Sequence, residues 1–167
     1  MIRLTEITEA NFFAARALAV APEQRGFLDS AAGILARGYL YRGQNARVWA
    51  VDTNGEVVGL ALEKDMDEDP ACYDLQQFMI DARYQKRGYG AQALRLILKR
   101  LAHEGKYGCV EVCVRRDDLA ARRLYEKAGF SDTGYIDPDA PECLNLMYRF
   151  GSDGHGRPGA PTTDGRC

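Results

Sequence analysis

The chain has 167 residues, of which 46% are hydrophobic and 28% charged, and its formal net charge is −2 at pH 7. These values are typical of one globular domain with a sizeable core, and they argue against general nucleic-acid binding, which favours a basic chain. The sequence has no run of apolar residues long enough to span a membrane, and its charged first residues do not resemble a secretory signal. We therefore expect a cytoplasmic protein without a membrane or nucleic-acid partner.

The first predicted elements are one strand and two helices. Residues 2–7 alternate apolar and polar side chains, which predicts a half-buried strand. Thr8 precedes an amphipathic stretch with Asn11 three residues later, as in a capped helix, and Ala21-Pro22 ends that stretch. A second helical stretch is predicted over residues 30–39.

A hairpin and a longer extended run follow. The apolar runs 46–51 and 57–62 predict two strands, and Asn54-Gly55 between them supplies the positive φ of a tight turn. Residues 63–69 hold five acids against one lysine, which predicts an acidic, solvated loop. Residues 73–80 predict the next strand.

The second half of the chain alternates helices and strands. Residues 88–104 have the apolar periodicity of an amphipathic helix. A further helix is predicted to begin at Asp117 or Asp118, whose side chain caps it, and to end at Gly129. The remaining strands are predicted over residues 110–114, 130–135 and 143–150.

The composition changes near the C-terminus. Residues 151–167 consist mainly of Gly, Ser, Asp, Pro, Thr and Arg with almost no apolar side chain, which predicts a disordered tail. We expect the preceding residues, 1–150, to form one domain. The element order β-α-α-β-β-β-α-β-α-β-β predicts an α+β or mixed α/β fold, with helices on both faces of one sheet.

The sequence Gln85-Lys86-Arg87-Gly88-Tyr89-Gly90 joins a predicted strand to a predicted helix. Two glycines at this spacing let the backbone approach a ligand closely, and the helix start offers unpaired N–H groups. Lys86 and Arg87 add positive charge, and the helix continues basic with Arg95, Lys99, Arg100 and Lys106. This combination favours a pyrophosphate ligand, although short glycine motifs also occur in ordinary turns. The patterns of mononucleotide P-loops and of dinucleotide folds are absent.

Two linked motifs resemble one enzyme family. Gln85-x-x-Gly88-x-Gly90 resembles the (Arg/Gln)-x-x-Gly-x-(Gly/Ala) motif of GNAT acetyltransferases. The later sequence Arg123-Leu124-Tyr125-Glu126-Lys127-Ala128-Gly129-Phe130 resembles the family's last helix and lies at the usual separation. The resemblance covers about residues 2–150. It implies a single domain with a mostly antiparallel sheet of six to seven strands and about four helices.

Within that family, the chain is most similar to bacterial spermine/spermidine acetyltransferases. The shared features are Val20-Ala21-Pro22-Glu23-Gln24-x-x-Phe27 and Phe78-Met79-Ile80-Asp81, together with the glycine motif. Gln76 and Gln77 stand where relatives often have an aromatic residue and an arginine. This difference affects the predicted identity of the acceptor more than the predicted reaction.

The resemblance implies direct attack of an acceptor amine on the thioester of acetyl-CoA, without a metal. Tyr125 matches the family's general acid, which would protonate the leaving thiolate; the alternative is a core tyrosine packing beside Leu124. Asp74 is the candidate general base, since some family members have a base glutamate at this point of the strand. Glu111 or an ordered water are the other candidates, and a solvated acid at a strand start is equally compatible with Asp74.

The resemblance also assigns the cofactor contacts. The pantetheine arm should pair with the backbone of Phe78, Met79 and Ile80. The pyrophosphate should lie on Gln85, Lys86, Arg87, Gly88, Tyr89 and Gly90. Asp118 stands where many relatives have an asparagine near the cofactor, but a carboxylate can only accept hydrogen bonds, so helix capping is an equal alternative.

The expected acceptor is a polyamine or a similar small cationic amine, which the acidic residues 63–69 would attract. Other acceptors remain open: an aminoglycoside-like antibiotic, an amino acid or a protein N-terminus. A non-catalytic sensor of acyl-CoA is the alternative from another functional class. Family members are often dimers, so a homodimer is a further expectation.

Overall fold

The computed structural model describes residues 1–151, so the predicted tail lies outside the described residues apart from Gly151. The strands are β1 Ile2–Glu6, β2 Arg47–Thr53, β3 Glu56–Met66, β4 Cys72–Ile80, β5 Cys109–Arg115, β6 Ser131–Asp132 and β7 Cys143–Arg149. The helices are α1 Glu9–Arg16, α2 Ala31–Leu40, α3 Tyr89–Glu104 and α4 Leu119–Ala128.

The seven strands form one sheet in the order β1-β2-β3-β4-β5-β7-β6. All neighbouring strands are antiparallel except β4 and β5, which are parallel and pair only through Tyr73 with Val110 and Asp74 with Glu111. The two strands separate beyond these pairs, so a wedge-shaped gap opens between their carboxyl-terminal halves. The predicted mixed α/β fold with a mostly antiparallel sheet is confirmed.

Helices cover both faces of the sheet. On one face, α3 and α4 pack on the sheet through a cluster that includes Leu94, Ile97, Leu101, Val110 and Val112. On the other face, α1 and α2 pack on β2 to β4 through a cluster that includes Ala15, Ile34, Leu60, Leu62 and Met79. Burying a side chain of the Leu or Ile type stabilises the fold by about 1.5–3 kcal/mol, so these clusters fix the position of the gap relative to the helices.

Three element boundaries differ from the prediction. Strand β3 continues to Met66, so the first part of the predicted acidic loop is strand: buried Glu63 and Asp65 form ion pairs with Arg100 and Lys106. Helix α1 ends at Arg16 and not near Ala21, and the chain then crosses towards β4 before α2. The strand predicted over 130–135 is reduced to the two residues of β6.

A bulge lies in the middle of β4. The register pairs Leu62 with Gln77 but Glu63 with Leu75, so Gln76 is the extra residue on β4. Such a bulge bends the strand locally, and this one lies just past the last pair with β5. It therefore bends β4 at the point where the gap opens.

No helix among the described residues is long and apolar enough to span a membrane. Within residues 1–151, no group of three or more His, Cys, Asp or Glu side chains is arranged to hold a metal ion.

Candidate functional site

A cavity of about 580 Å³ lies between the end of β4 and the start of α4. Nine of the ten predicted cofactor residues line it: Phe78, Met79, Ile80, Gln85, Lys86, Gly88, Tyr89, Gly90 and Asp118. Arg87 is the tenth, and its guanidinium lies 5.4 Å from the centre of the Tyr84 ring. The fold thus brings the strand end, the glycine loop and the cap of α4 to a single opening.

The glycine loop has the backbone shape of an anion site. Lys86 has φ 62° and Gly88 has φ 77°, so two left-handed residues flank Arg87. Gly88 is also the N-cap of α3, whose first N–H groups have no partner within the helix. A backbone in which left-handed residues alternate with other residues turns successive N–H groups towards one point. The dipole of α3 adds positive potential there. The loop suits a phosphate group.

The side chain of Gln85 links three parts of the chain, and its contact with a pyrophosphate stays a prediction. Its Nε2 donates to the carbonyl oxygen of Ile80 at 2.9 Å and to Oε1 of Gln24 at 2.7 Å. The side chain therefore fixes the loop to the end of β4 and to the segment before α2. Among the charged loop residues, Lys86 is the one that lines the cavity.

The edge of β4 at Phe78, Met79 and Ile80 is not paired with β5, although the Ile80 carbonyl oxygen accepts the hydrogen bond from Gln85. Strand β3 pairs with this part of β4 on one edge, whereas β5 pairs only with Tyr73 and Asp74 on the other. Unpaired backbone groups at a strand edge are ready to bind an extended ligand, as in strand addition. The gap can therefore accept a chain-like amide group such as a pantetheine arm.

Asp118 caps helix α4. Its side chain accepts a hydrogen bond from the backbone N–H of Ala121 at 3.0 Å, and the residue is buried. The neighbouring Asp117 forms an ion pair with Arg115. The capping alternative for Asp118 is thus observed, while its place in the cavity wall keeps a cofactor contact as a prediction.

Tyr125 lies in the core beside the cavity. Its ring packs edge-on against Phe130 with the centroids 5.3 Å apart, while Ala121 and Leu124 of the same helix line the cavity. Burial, with a smaller contribution from the negative charge of Asp118, raises the pKa of the Tyr125 phenol above its ordinary value. The phenol is therefore protonated at neutral pH, which is the state that a general acid needs.

Asp74 and Glu111 form the last register pair of β4 and β5, at the narrow end of the gap. Lys64 Nζ lies 3.4 Å from an Asp74 carboxylate oxygen, an ion pair that the sequence did not suggest. Burial raises the pKa of Asp74, although the Lys64 charge opposes the shift. Burial, and then the negative charge of Asp74, raises the pKa of Glu111. Neither carboxylate belongs to the cavity lining.

Sequence reasoning missed one wall of the cavity. It comes from the segment between α1 and α2, and its lining residues are Val20, Glu23, Gln24, Phe27 and Leu28. The motif Val20 to Phe27 marked a family resemblance, but nothing local in it showed where the segment would lie. The first residues of α4, Leu119 and Ala120, were missed in the same way.

The basic residues of α3 separate into two groups. Arg95 and Lys99 line a groove of about 480 Å³ between α3 and α4, together with Lys127 of α4. Leu124 contributes to both this groove and the main cavity, so the two adjoin. In contrast, Arg100 forms ion pairs with Glu63 and Glu104, which link α3 to β3. On α3, the positive charge available to an anionic ligand therefore comes from Arg95 and Lys99.

Comparisons with known proteins agree with this geometry. The sequence is similar to the spermine/spermidine N(1)-acetyltransferase of Bacillus subtilis, with 32% identity over 88 residues, which are 50% of this chain and 58% of that protein. It is also similar to N-acetyltransferase family 8 member 2 of Rattus norvegicus, with 30% identity over 97 residues, which are 57% of this chain and 43% of that protein. The chain spans about half the length of these curated relatives.

The fold is similar to that of aminoglycoside acetyltransferase AAC(6')-Ib, solved in complex with coenzyme A. The TM-score is 0.73 at 17% sequence identity, and the match covers 90% of this chain and 95% of that one. The model of the acetyltransferase (GNAT) family matches residues 1–130, which include the glycine loop, the gap between β4 and β5, and α4. By this match over most of its length, the chain belongs to the GNAT acetyltransferase family.

Proposed function

We propose that this protein transfers the acetyl group of acetyl-CoA to a primary amine, and that the acceptor is a polyamine or a similar small cationic amine. The observation that carries the proposal is the single cavity joining the unpaired edge of β4, the glycine loop and the start of α4. An acyl-CoA needs these three features, because it has an amide-containing arm, a pyrophosphate and a thioester.

Acetyl-CoA would supply an activated acetyl group as a thioester. The glycine loop and Lys86 would hold its pyrophosphate, and the backbone edge of Phe78, Met79 and Ile80 would orient its arm. Unpaired N–H groups at that edge could donate to negative charge that develops on a carbonyl oxygen. Tyr125, kept protonated by burial, would give its proton to the departing thiolate.

Asp74 is the proposed general base, acting at the narrow end of the gap. Its raised pKa means that the carboxylate form is lost at a higher pH than for an ordinary aspartate, so kcat/KM should fall as the pH falls through that raised value. Asp74→Asn should lower kcat/KM by roughly 100-fold and remove this acidic limb of the pH profile. Glu111→Gln is the comparison variant and should keep the limb. Loss of the limb in Glu111→Gln alone would assign the base to Glu111 and contradict the role of Asp74.

The acceptor proposal rests on charge and on the relatives. The Bacillus subtilis relative is named for spermine and spermidine, and the solved neighbour is named for aminoglycosides, which are also polycationic amines. Buried Glu63 and Asp65 are neutralised by ion pairs and cannot attract a ligand. The exposed acids Asp67, Glu68 and Asp69 remain, and the charge of Glu68 contributes to the raised pKa of Glu111 at the gap.

Reversing the charge of Asp67, Glu68 and Asp69 to lysine should raise the KM for spermidine by roughly tenfold, equivalent to about 1.4 kcal/mol. The effect should shrink with added salt, because exposed charges are screened. The value for kcat should change little, since these side chains lie outside the cavity lining.

The matched control reverses Glu6, Glu9 and Glu126, which are exposed, lie outside the cavity lining and give the same change in net charge. This control should leave the KM within about twofold of the wild type. Equal KM values in the two triple variants would mean that residues 67–69 do not attract the acceptor.

The function itself is tested by following thiol release from acetyl-CoA with a panel of amines: spermidine, spermine, kanamycin, an amino acid and a peptide with a free N-terminus. We expect the highest kcat/KM with the polyamines. A preference for one of the other amines would correct the acceptor but not the reaction. If CoA stabilises the protein against heat but no amine is acetylated, the proposed transferase activity is wrong and the acyl-CoA sensor is favoured.

A further inference from the structure

The segment between α1 and α2 crosses the end of β4 and is fixed at both ends. We call residues 19–29 the crossing segment. At its start, the backbone N–H of Ala19 donates to the Asp81 carboxylate at 2.9 Å, and the N–H of Ala82 donates to the Ala19 carbonyl oxygen at 2.8 Å. At its end, the N–H of Asp29 donates to Oε1 of Gln77 at 3.1 Å. The segment is thus attached to β4 and to the residues that follow it.

Between these attachments, one polar contact reaches the rest of the described protein. Within residues 1–151, the only hydrogen bond from residues 20–28 to another part of the chain joins Gln24 Oε1 to Gln85 Nε2, at 2.7 Å. The same Oε1 accepts from the N–H of Ala21 at 3.3 Å, which shapes the turn. The polar contact of the middle of the segment is therefore with the glycine loop, while Val20 and Leu28 pack on the apolar cluster that includes Leu60 and Met79.

The crossing segment also reaches the other side of the gap. Phe27 lies under the guanidinium of Arg115, which is 5.7 Å from the ring centre and belongs to the end of β5. Arg115 in turn pairs with Asp117, just before α4. The segment therefore bridges the two separated strands and closes the cavity on the face opposite α3 and α4, where Leu28 and Met79 are shared with a smaller cavity beneath it.

We propose that Gln24 is a positioning residue that couples the glycine loop to the crossing segment, so that a donor bound on the loop stabilises the closed wall of the cavity. The physical basis is the Gln85 amide, whose two donors are shared between Ile80 at the strand end and Gln24 of the segment. Anything that orders Gln85 also orders Gln24. The inference rests on the proposed acetyl-CoA site, and the acceptor amine would meet the wall that Gln24 holds in place.

Limited proteolysis reports this coupling directly, because Arg25 is exposed in the middle of the segment and trypsin cleaves after arginine. Loss of a hydrogen bond of ordinary net strength raises the fraction of molecules in which the segment is detached by about two- to tenfold. Without ligand, Gln24→Ala should therefore release the fragment 1–25 about two to ten times faster than the wild type. With saturating CoA, the wild type should be protected several-fold further, and the variant should gain little protection.

Two comparison variants separate positioning from general destabilisation. Gln24→Glu keeps an oxygen that can accept from Gln85 and should restore most of the protection. Gln44→Ala removes an exposed glutamine that lies outside both the crossing segment and the cavity lining, and it should behave as the wild type. In steady state, Gln24→Ala should raise the KM for the amine while kcat stays within about threefold, a separation that a misfolded protein would not show.

The outcomes distinguish this inference from the function. If CoA does not bind the wild type by calorimetry, the proposed function fails, and the ligand-free cleavage rates still decide whether Gln24 positions the segment. If CoA binds and Gln24→Ala is cleaved and protected at wild-type rates, the coupling through Gln24 is wrong. If Gln24→Glu is cleaved as fast as Gln24→Ala, the hydrogen bond that Gln24 accepts from Gln85 does not hold the crossing segment in place.

Discussion

Gly90→Val should weaken the binding of acetyl-CoA by roughly 100-fold, or about 2.7 kcal/mol, without unfolding the protein. An added Cβ at Gly90 would lie 3.7 Å from a side-chain carbon of Ile80 and 3.7 Å from one of Leu124, which is ordinary contact. The protein can therefore accommodate the branch, and valine is no worse than glycine inside a helix. Both neighbours line the cavity, so the two methyl groups would occupy ligand space.

Calorimetric titration with CoA and thermal unfolding test this expectation together. Gly108→Val is the control: a Cβ there meets nothing within 4 Å, its φ lies outside the left-handed region, and it is absent from the cavity lining. It should retain CoA affinity. Undiminished affinity in Gly90→Val would show that the ligand does not pass over Gly90, and would remove the glycine loop from the proposed site.

The glycine loop could be predicted from sequence because its physics is local. A glycine at a helix start, next to a strand, suits left-handed backbone and unpaired N–H groups, and Gly88 shows both. The same holds for Asp118 and Gly129, which cap the two ends of α4 as the pattern indicated. Each of these features depends on residues within a few positions of one another.

The errors arose where partners are distant in sequence. Glu63 was predicted in a solvated loop, but its partner Arg100 stands 37 residues later on α3. An ion pair with Arg100 allows the charged residue Glu63 to be buried within β3, where its charge would otherwise favour a solvated loop. Burial still raises the pKa of Glu63. Gln24 and Gln85 are 61 residues apart, so neither motif could reveal their contact.

The gap between β4 and β5 also could not be predicted from local pattern. Periodicity places Phe78 and Ile80 on a strand, but it does not show that β5 stops pairing after Glu111. The bulge at Gln76 lies where the two strands separate, and the crossing segment lines one side of the gap. The donor site is thus formed from two local motifs held apart by nonlocal packing.

Tyr125→Phe should reduce kcat by roughly 100-fold while the affinity for acetyl-CoA stays nearly unchanged, because general acid catalysis typically contributes 10²–10⁴-fold. Phenylalanine keeps the ring that packs against Phe130, so the core should tolerate the change. The removed hydroxyl is the group whose pKa burial raises. Tyr148→Phe is the matched control, since that ring also packs against Phe130, with centroids 5.5 Å apart, and lies outside the main cavity.

The choice of acetyl donor distinguishes proton donation from packing. If Tyr125 protonates the leaving thiolate, a donor whose thiol is more acidic needs less help, so the deficit of Tyr125→Phe should shrink with that donor. If the tyrosine only supports the core, the deficit should be the same for every donor and should follow thermal stability. Wild-type kcat in Tyr125→Phe would remove Tyr125 from the mechanism. Because a raised phenol pKa keeps the acid form to higher pH, wild-type kcat should also show no alkaline loss from Tyr125 below the ordinary tyrosine pKa of about 10.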